Sequence, residues 1–188
     1  TFDGVHLGHQ KLLQKAMMHK PAGGSSCVLT FDVPPEQYFR GKLRLLTSFE
    51  RKVELIRGFK IDEVAWVPFG PDVASLQAEE FVQEILVKKL QTKHVVCGFD
   101  YRFGNKRLGN VNYLKEQGRL NGFAVSVVPP VHDKNGQVIS STLIRDLLAQ
   151  GNLSQTVEYL RYYPSYEGLV VRGQGRGRQL GFPTANLQ

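Results

Sequence analysis

The chain has 188 residues, of which 41% are hydrophobic and 22% are charged, and its formal net charge is +7 at pH 7. This length and composition fit one globular domain with part of a second, and they exclude a low-complexity or repetitive chain. No apolar run approaches the roughly 20 residues that span a bilayer, and no signal peptide opens the chain, so we expect a cytoplasmic protein. The positive net charge favours anionic partners, but it does not distinguish nucleic acids, phosphorylated metabolites and membrane surfaces, which are all anionic.

Strand and helix patterns alternate along the chain. Short β-rich runs predict four strands, at residues 26–31, 63–68, 94–99 and 123–128. Apolar residues at helical spacing lie between them, in the sets Leu12, Leu13, Ala16 and Met17; Phe49, Val53 and Ile56; and Phe81, Val82, Ile85 and Leu86. This alternation predicts a Rossmann-like α/β fold, with a doubly wound parallel sheet and helices on both faces.

Local signals add helix starts and core positions. Residues 47–50, Thr-Ser-Phe-Glu, fit a capping box, and Ser140 and Ser154 are predicted N-caps of later helices. The two cysteines lie in apolar runs of strand character and are predicted to be small buried hydrophobes, not a disulfide or metal pair: Cys27 and Cys97.

The first motif, Phe-Asp-Gly-Val-His-Leu-Gly-His at residues 2–9, places His6 and His9 around Gly8 just before an amphipathic helix. Backbone N–H groups and the helix dipole form an anion site at a helix start, and imidazole donors add to it. The motif therefore predicts a phosphate site, with helix capping or core packing as the structural alternative. Because residues 4–9 resemble the turn after a first strand, we expect that strand to precede Thr1.

The second motif, Ile-Ser-Ser-Thr-Leu-Ile-Arg at residues 139–145, would alone be an ordinary serine-capped helix. Together, in this order, the two motifs resemble the nucleotidyltransferase superfamily, whose His-x-Gly-His and Ser-Ser-Thr-x-x-Arg motifs enclose the phosphates of ATP. The resemblance implies catalytic roles for His6, His9 and Arg145. It also implies ATP contacts by Phe2, Gly4, Gly8, Ser140, Ser141 and Thr142.

The resemblance becomes more specific at residues 98–104, Gly-Phe-Asp-Tyr-Arg-Phe-Gly, and at residues 46–52, which resemble the bacterial FAD synthetases. The similarity to that family extends over essentially the whole chain. That family implies conversion of ATP and FMN to FAD and diphosphate in FAD biosynthesis, with Mg²⁺ held by the nucleotide and no protein metal ligand. The implied flavin contacts are Gly98, Phe99, Asp100, Tyr101, Arg102 and Phe103. Structural roles remain open for these residues. The three aromatic rings alternate as core residues of a strand end do, and Asp100 and Arg102 can pair with each other instead of contacting a ligand.

Two departures from that family are visible. Residues 32–35 read Asp-Val-Pro-Pro where a Pro-His-Pro sequence is common, and residues 160–164 read Leu-Arg-Tyr-Tyr-Pro where Leu-Gly-Arg-Pro is common.

Two alternative functions remain. One is a nucleotidyltransferase with another phosphorylated acceptor, such as nicotinate mononucleotide, phosphopantetheine or a choline-type phosphate, and the other is a basic nucleic-acid-binding module. We predict small-molecule substrates and no nucleic-acid or membrane partner; the sequence gives no oligomeric state.

The C-terminal part changes character near residues 162–165, where a series of glycines is predicted to interrupt any helix. We therefore predict an adenylyltransferase domain at residues 1–161 and a separate segment at 162–188. That segment resembles the start of the riboflavin kinase β-barrel, which implies nucleotide and magnesium contacts in a complete kinase by Gly175, Arg178, Thr184 and Asn186. An Arg/Gly linker is the alternative. We expect residues after about 165 to be partly ordered and unable to phosphorylate riboflavin.

Overall fold

The computed structural model describes residues 1–182 and 184–187, in which strands and helices alternate as an α/β fold. The strands are β1 (Cys27–Phe31), β2 (Glu63–Val67), β3 (His94–Gly98), β4 (Arg102–Phe103), β5 (Gly109–Asn110), β6 (Ala124–Val128), β7 (Val170–Val171) and β8 (Asn186–Leu187). The helices are α1 (Leu7–Met18), α2 (Pro35–Arg40), α3 (Phe49–Arg57), α4 (Pro71–Ser75), α5 (Ala78–Glu80), α6 (Phe81–Lys89), α7 (Val111–Asn121), α8 (Ser141–Ala149), α9 (Leu153–Leu160) and α10 (Arg176–Gln179); α6 has π-helical hydrogen bonding. The four predicted strands are confirmed as β1, β2, β3 and β6.

The long strands form two parallel pairs. β1 lies beside β2, with Phe31 opposite Val67, and β3 lies beside β6, with Gly98 opposite Val128. Across the described residues no ladder hydrogen bonds join the two pairs, so the predicted parallel sheet is present as two halves. The short strands β4 and β5, which the sequence did not predict, pair antiparallel directly after β3.

Three buried clusters hold these elements together. One joins the segment before α3 to α8 and α9, through Leu46, Ile139, Ile144, Leu147, Tyr159 and Leu160. The second packs α6 and α7 on β3, through Val82, Leu86, Cys97, Phe103, Leu114 and Phe123. The third packs α1 and α3 near β1, through Val5, Leu13, Val28, Ile56 and Ile61. Each predicted helical face therefore contributes to a core.

Two predicted helix starts and one predicted core residue need correction. Helix α3 is capped by Ser48, which accepts from the Arg51 amide, so the capping box at residues 47–50 is wrong. The Ser140 cap of α8 is confirmed, but α9 is capped by Asn152 in place of Ser154. Of the cysteines, Cys97 is buried as predicted, whereas Cys27 is exposed at the start of β1.

The C-terminal segment forms an antiparallel pair of short strands, β7 and β8, around the four-residue helix α10. That helix corrects the prediction that glycines interrupt any helix there. Two residues of the predicted kinase segment, Pro183 and Gln188, lie outside the described residues. None of the helices in the described part of the chain has the length and hydrophobicity that a bilayer crossing requires.

Candidate active site

The first motif folds as a strained turn that leads into α1. Phe2, Gly4 and Val5 have positive φ angles of 59°, 76° and 37°. Such an angle is an outlier for a β-branched residue such as Val5, which is fully buried here. Gly4 has no room for a side chain, because a Cβ atom there would lie 2.7 Å from Leu46 Cδ1. Strain of this kind persists only where surrounding contacts hold it, and it clusters at functional sites.

The two predicted catalytic histidines stack on each other at the start of α1, with ring centroids 3.8 Å apart. His6 is the N-cap, and its Nδ1 accepts a hydrogen bond from the Gly8 amide at 3.2 Å. A neutral His6 ring therefore carries its proton on Nε2 and can donate it to a ligand. The Phe2 ring lies 5.0 Å from the His9 ring, and His9 Nδ1 is buried without a hydrogen-bond partner among the described residues.

Burial keeps both rings uncharged near neutral pH. Desolvation lowers the pKa of His6 to about 4. Desolvation, together with the neighbouring His6 ring, lowers the pKa of His9 well below its ordinary value. The pair thus offers hydrogen-bond donors to an anion without a permanent positive charge.

Asp3, which nothing in the sequence singled out, joins both motifs and the segment before α3. Its Oδ1 accepts a hydrogen bond from the Leu46 amide at 2.9 Å, and its Oδ2 forms an ion pair with Arg145 Nη2 at 2.7 Å. Its backbone carbonyl accepts from the Ser141 hydroxyl at 2.8 Å. Because Asp3 is almost fully buried, this junction fixes the start of α8 against the histidine turn.

The start of α8 presents the remaining residues of the second motif. Ser140 Oγ accepts from the Leu143 amide as the N-cap, while Thr142 is exposed. Arg145 also donates from Nε to the Arg44 carbonyl at 2.9 Å. Its Nη1 makes no hydrogen bond within residues 1–182 and 184–187, which leaves one guanidinium edge for a ligand.

The two motifs lie toward the carboxyl end of β3. The imidazole of His19, at the end of α1, lies with its ring centroid 4.1 Å from that of His94, the first residue of β3. Helix α1 therefore runs back along the strand, and its N-terminus points toward Gly98, where the predicted flavin segment begins. Open α/β folds bind ligands at this end of their strands.

Within the predicted flavin segment, only one of the three aromatic rings is exposed. Tyr101 and Phe103 stack at 5.4 Å and pack into the core cluster around α6 and α7, whereas Phe99 is 50% exposed. Asp100 and Arg102 are exposed, and within the described part of the chain no ion pair joins them. A ligand at this segment therefore meets Phe99 and the two charged side chains.

A second aromatic surface, which sequence reasoning missed, lies after β1 and β2. We call it the aromatic cluster; its rings lie 5.1 to 5.9 Å apart and belong to Phe31, Tyr38, Phe39 and Phe69. Phe39 is 67% exposed and Tyr38 is 43% exposed. The Asp32 carboxylate accepts from the Phe69 amide at 2.9 Å and so ties the ends of the two strands together.

The predicted kinase residues are grouped in the C-terminal segment. A Cβ atom on Gly177 would lie 2.7 Å from Thr184 Oγ1, and one on Gly173 would overlap the Asn186 side chain. Gly175 precedes α10 and Arg178 lies within it. No group of three or more potential ligands from His, Cys, Asp or Glu is assembled for a metal ion among residues 1–182 and 184–187.

Together, the parallel strand pairs and the helix N-termini joined by Asp3 define an α/β fold of the nucleotidyltransferase kind. Comparison with family profiles is consistent with this class: the FAD synthetase profile matches residues 1–143, and the riboflavin kinase profile matches residues 160–188. The chain belongs to the FAD synthetase family.

Curated relatives match the full chain. Proteins named bifunctional riboflavin kinase/FMN adenylyltransferase are 38% identical in Buchnera aphidicola subsp. Schizaphis graminum, 36% in Listeria monocytogenes and 34% in Escherichia coli K12. All of this chain aligns with each of them, but it spans only 60 to 61% of their length.

Two solved structures are similar in fold. A Streptococcus pneumoniae protein described as a macrolide-efflux protein superposes with a TM-score of 0.83 at 31% identity, covering 100% of this chain and 61% of that one. Pantoate-β-alanine ligase from Francisella tularensis superposes with a TM-score of 0.50 at 13% identity, covering 86% of this chain and 69% of that one. The second likeness concerns the fold alone.

Proposed function

We propose that this chain carries the FMN adenylyltransferase site of a bifunctional enzyme and transfers the adenylyl group of Mg·ATP to FMN. The observation that carries the proposal is the Asp3 junction, which holds two helix N-termini and Arg145 at one place. Helix N-termini with imidazole and guanidinium donors suit the phosphates of a nucleotide. Membership of the FAD synthetase family favours FMN as the acceptor.

In the proposed reaction, a phosphate oxygen of FMN attacks the α-phosphorus of ATP. The bond from that phosphorus to the oxygen bridging to the β-phosphate breaks, and diphosphate leaves. The attacking phosphate is largely ionised at neutral pH, so no side chain needs to remove a proton. The enzyme's contribution is alignment of two anions and stabilisation of the charge on the transferring phosphate.

The side chains of the site suit that task. His6 and His9 are neutral donors that contact phosphate oxygens without pairing with internal carboxylates, and the free edge of Arg145 adds positive charge. The exposed hydroxyl of Thr142 and the first amides of α8 bind the remaining oxygens in this proposal. Mg²⁺ enters with ATP, bound by phosphate oxygens and water, as is usual for this ion.

We propose that the isoalloxazine ring packs on the exposed aromatic rings at the strand ends. Phe99 and the exposed ring of Phe39 are the candidates, and aromatic stacking suits a flat heterocycle. Phe39→Ala and Phe99→Ala are each expected to raise the KM for FMN more than the KM for ATP. Steady-state kinetics with both substrates varied checks this, and Leu108→Ala, another exposed apolar residue, serves as the control. If neither aromatic variant changes the KM for FMN, neither surface binds the ring.

The proposed activity is tested by incubating the chain with FMN and Mg·ATP and separating FMN from FAD by chromatography. We expect FAD and diphosphate in equal amounts, and no product without ATP. Parallel reactions with nicotinate mononucleotide, phosphopantetheine and choline phosphate test the other acceptors. Binding to a labelled oligonucleotide, with affinity falling steeply as salt rises, would favour a nucleic-acid-binding protein. No FAD above the enzyme-free control would overturn the proposal.

The C-terminal segment extends this proposal to the whole protein. Its match to the riboflavin kinase profile, over residues 160–188, and the naming of the relatives as bifunctional support a second active site that makes FMN from riboflavin. Thr184 and Asn186 would contact nucleotide and magnesium there. We place the whole protein in the cytoplasm, where its proposed substrates ATP and FMN are found.

A further inference from the structure

We propose that Tyr162 is a positioning residue for the histidine turn and that the segment after α9 thereby controls adenylyl transfer. The Tyr162 hydroxyl donates a hydrogen bond of 2.8 Å to the carbonyl of Gly4, across 158 positions of sequence. Gly4 lies between Asp3, the partner of Arg145, and the strained Val5 that precedes His6. This inference rests on the proposed function, since it concerns the same site.

A second side chain ties the same two segments together. Gln10 Nε2 donates to the Val5 carbonyl at 3.0 Å and to the Leu160 carbonyl at 2.8 Å. The Gly4 carbonyl is thus held directly by Tyr162, and the Val5 carbonyl is held by Gln10 of α1, whose amide also binds the Leu160 carbonyl at the end of α9. A turn with three positive φ angles needs such external restraints to keep its conformation.

The segment after α9 begins with a residue in a strained backbone conformation. Arg161 ends α9 in the left-handed region, with φ of 65°, a conformation that costs a non-glycine residue free energy. Position 161 is one of those at which the sequence departs from the Leu-Gly-Arg-Pro pattern, and position 162 is another.

The Tyr162 ring packs against the core cluster that joins α8 and α9, and its hydroxyl adds the bond to Gly4. A cavity of about 280 Å³ adjoins the ring and is also lined by Val5, Gln10 and Arg51. The Arg51 guanidinium lies 5.7 Å from the ring centroid. Burial raises the pKa of Tyr162, so its hydroxyl remains a donor at any physiological pH. Loss of the hydroxyl leaves the Gly4 carbonyl without this donor, and the cavity beside Val5 gives the turn room to shift.

The test compares Tyr162→Phe with Tyr163→Phe, whose exposed ring is the next one along the chain. We expect Tyr162→Phe to lower kcat for FAD formation roughly 5- to 10-fold, as loss of one hydrogen bond predicts, with the KM for FMN unchanged. We also expect the imidazole NMR signals of His6 and His9 to shift in Tyr162→Phe. Tyr163→Phe should match the unmodified chain in both measurements.

The NMR measurement tests the positioning role of Tyr162 independently of the proposed FAD-forming activity. If the unmodified chain forms no FAD, the proposed function fails, while shifted imidazole signals in Tyr162→Phe would still support the positioning role. If the imidazole signals of Tyr162→Phe equal those of the unmodified chain, the inference is overturned whatever the value of kcat. A second variant, Gln10→Leu, should shift the same signals through the Val5 carbonyl, and unchanged signals there would contradict the shared restraint.

Discussion

At the scale of single residues, the site depends on imidazoles kept neutral by burial. A histidine with a lowered pKa favours the folded state only while it remains uncharged. The His6 pKa is about 4 in the folded chain and has an ordinary value of 6.5. Its contribution to stability is therefore complete above pH 6.5 and is lost as the pH falls toward 4, because the unfolded chain binds the proton first.

This pH dependence predicts that a His6→Gln variant loses less stability in acid than the unmodified chain. Between pH 7 and pH 5 the free energy of unfolding of the unmodified chain should fall by about 2 kcal/mol more than that of His6→Gln, from the pKa difference alone. Urea unfolding at the two pH values measures this, with the exposed His132→Gln as the control. Equal pH dependence in the unmodified chain and His6→Gln would show that His6 is not buried as described.

Asp3→Asn tests the buried ion pair. The substitution keeps the side-chain shape but leaves Arg145, which is 17% exposed, without its counter-charge. We expect a loss of about 3 kcal/mol in the free energy of unfolding, as for other broken buried pairs.

The matched control for this prediction is Glu84→Gln, which breaks an exposed pair with Lys88. Exposed pairs contribute little, so this variant should unfold like the unmodified chain. Equal losses in Asp3→Asn and Glu84→Gln would contradict the structural role of the Asp3 junction.

The sequence singled out residues for a candidate site but carried no signal for their structural partners. The two motifs indicated a phosphate site, but the partner of Arg145 lies 142 positions away and had no local signal. The same holds for the contact of Tyr162 with Gly4. In the predicted flavin segment, alternation left Tyr101 and Phe103 open to either role, and only the packing of α6 and α7 shows that Phe103 is buried and Tyr101 partly buried.

At the scale of elements, the four long strands were predictable, whereas the short strands were not, and only one of the three predicted helix starts was right. Runs such as His94–Gly98 are apolar and β-branched and therefore mark a strand with little ambiguity. A serine or threonine before a predicted helix need not be its N-cap, because its hydroxyl can accept a hydrogen bond from a backbone amide elsewhere. Thr47 illustrates this, because it accepts a hydrogen bond from the Gly4 amide at 3.3 Å while Ser48 caps α3.

The cap of α9 gives a matched pair of variants. Asn152 Oδ1 accepts from the Gln155 amide at 3.2 Å, whereas Ser154 lies inside the helix. Asn152→Ala should lower the free energy of unfolding by about 1 kcal/mol, and Ser154→Ala should have little effect. Thermal or urea unfolding of both variants checks this. The reverse order of effects would mean that α9 begins two residues later than described.

At the scale of the whole molecule, the site depends on segments far apart in sequence. The histidine turn, the segment before α3, the start of α8 and the end of α9 meet through Asp3, Thr47 and Tyr162. The fold class was predictable from alternation alone, but the division of the long strands into two pairs was not, because sequence patterns carry no pairing partners. Adenylyl transfer is therefore proposed as a property of this assembled junction.

The most direct test of that claim is the rate of FAD formation by His9→Ala, with His94→Ala as the control. His9 makes no side-chain hydrogen bond through its buried Nδ1 within the described residues, so its removal breaks none there. His94 lies at the opposite end of β3. We predict that His9→Ala lowers kcat/KM for ATP roughly 100-fold, the scale of one lost electrostatic donor, and that His94→Ala leaves it nearly unchanged. Near-normal FAD formation by a folded His9→Ala variant would contradict the account.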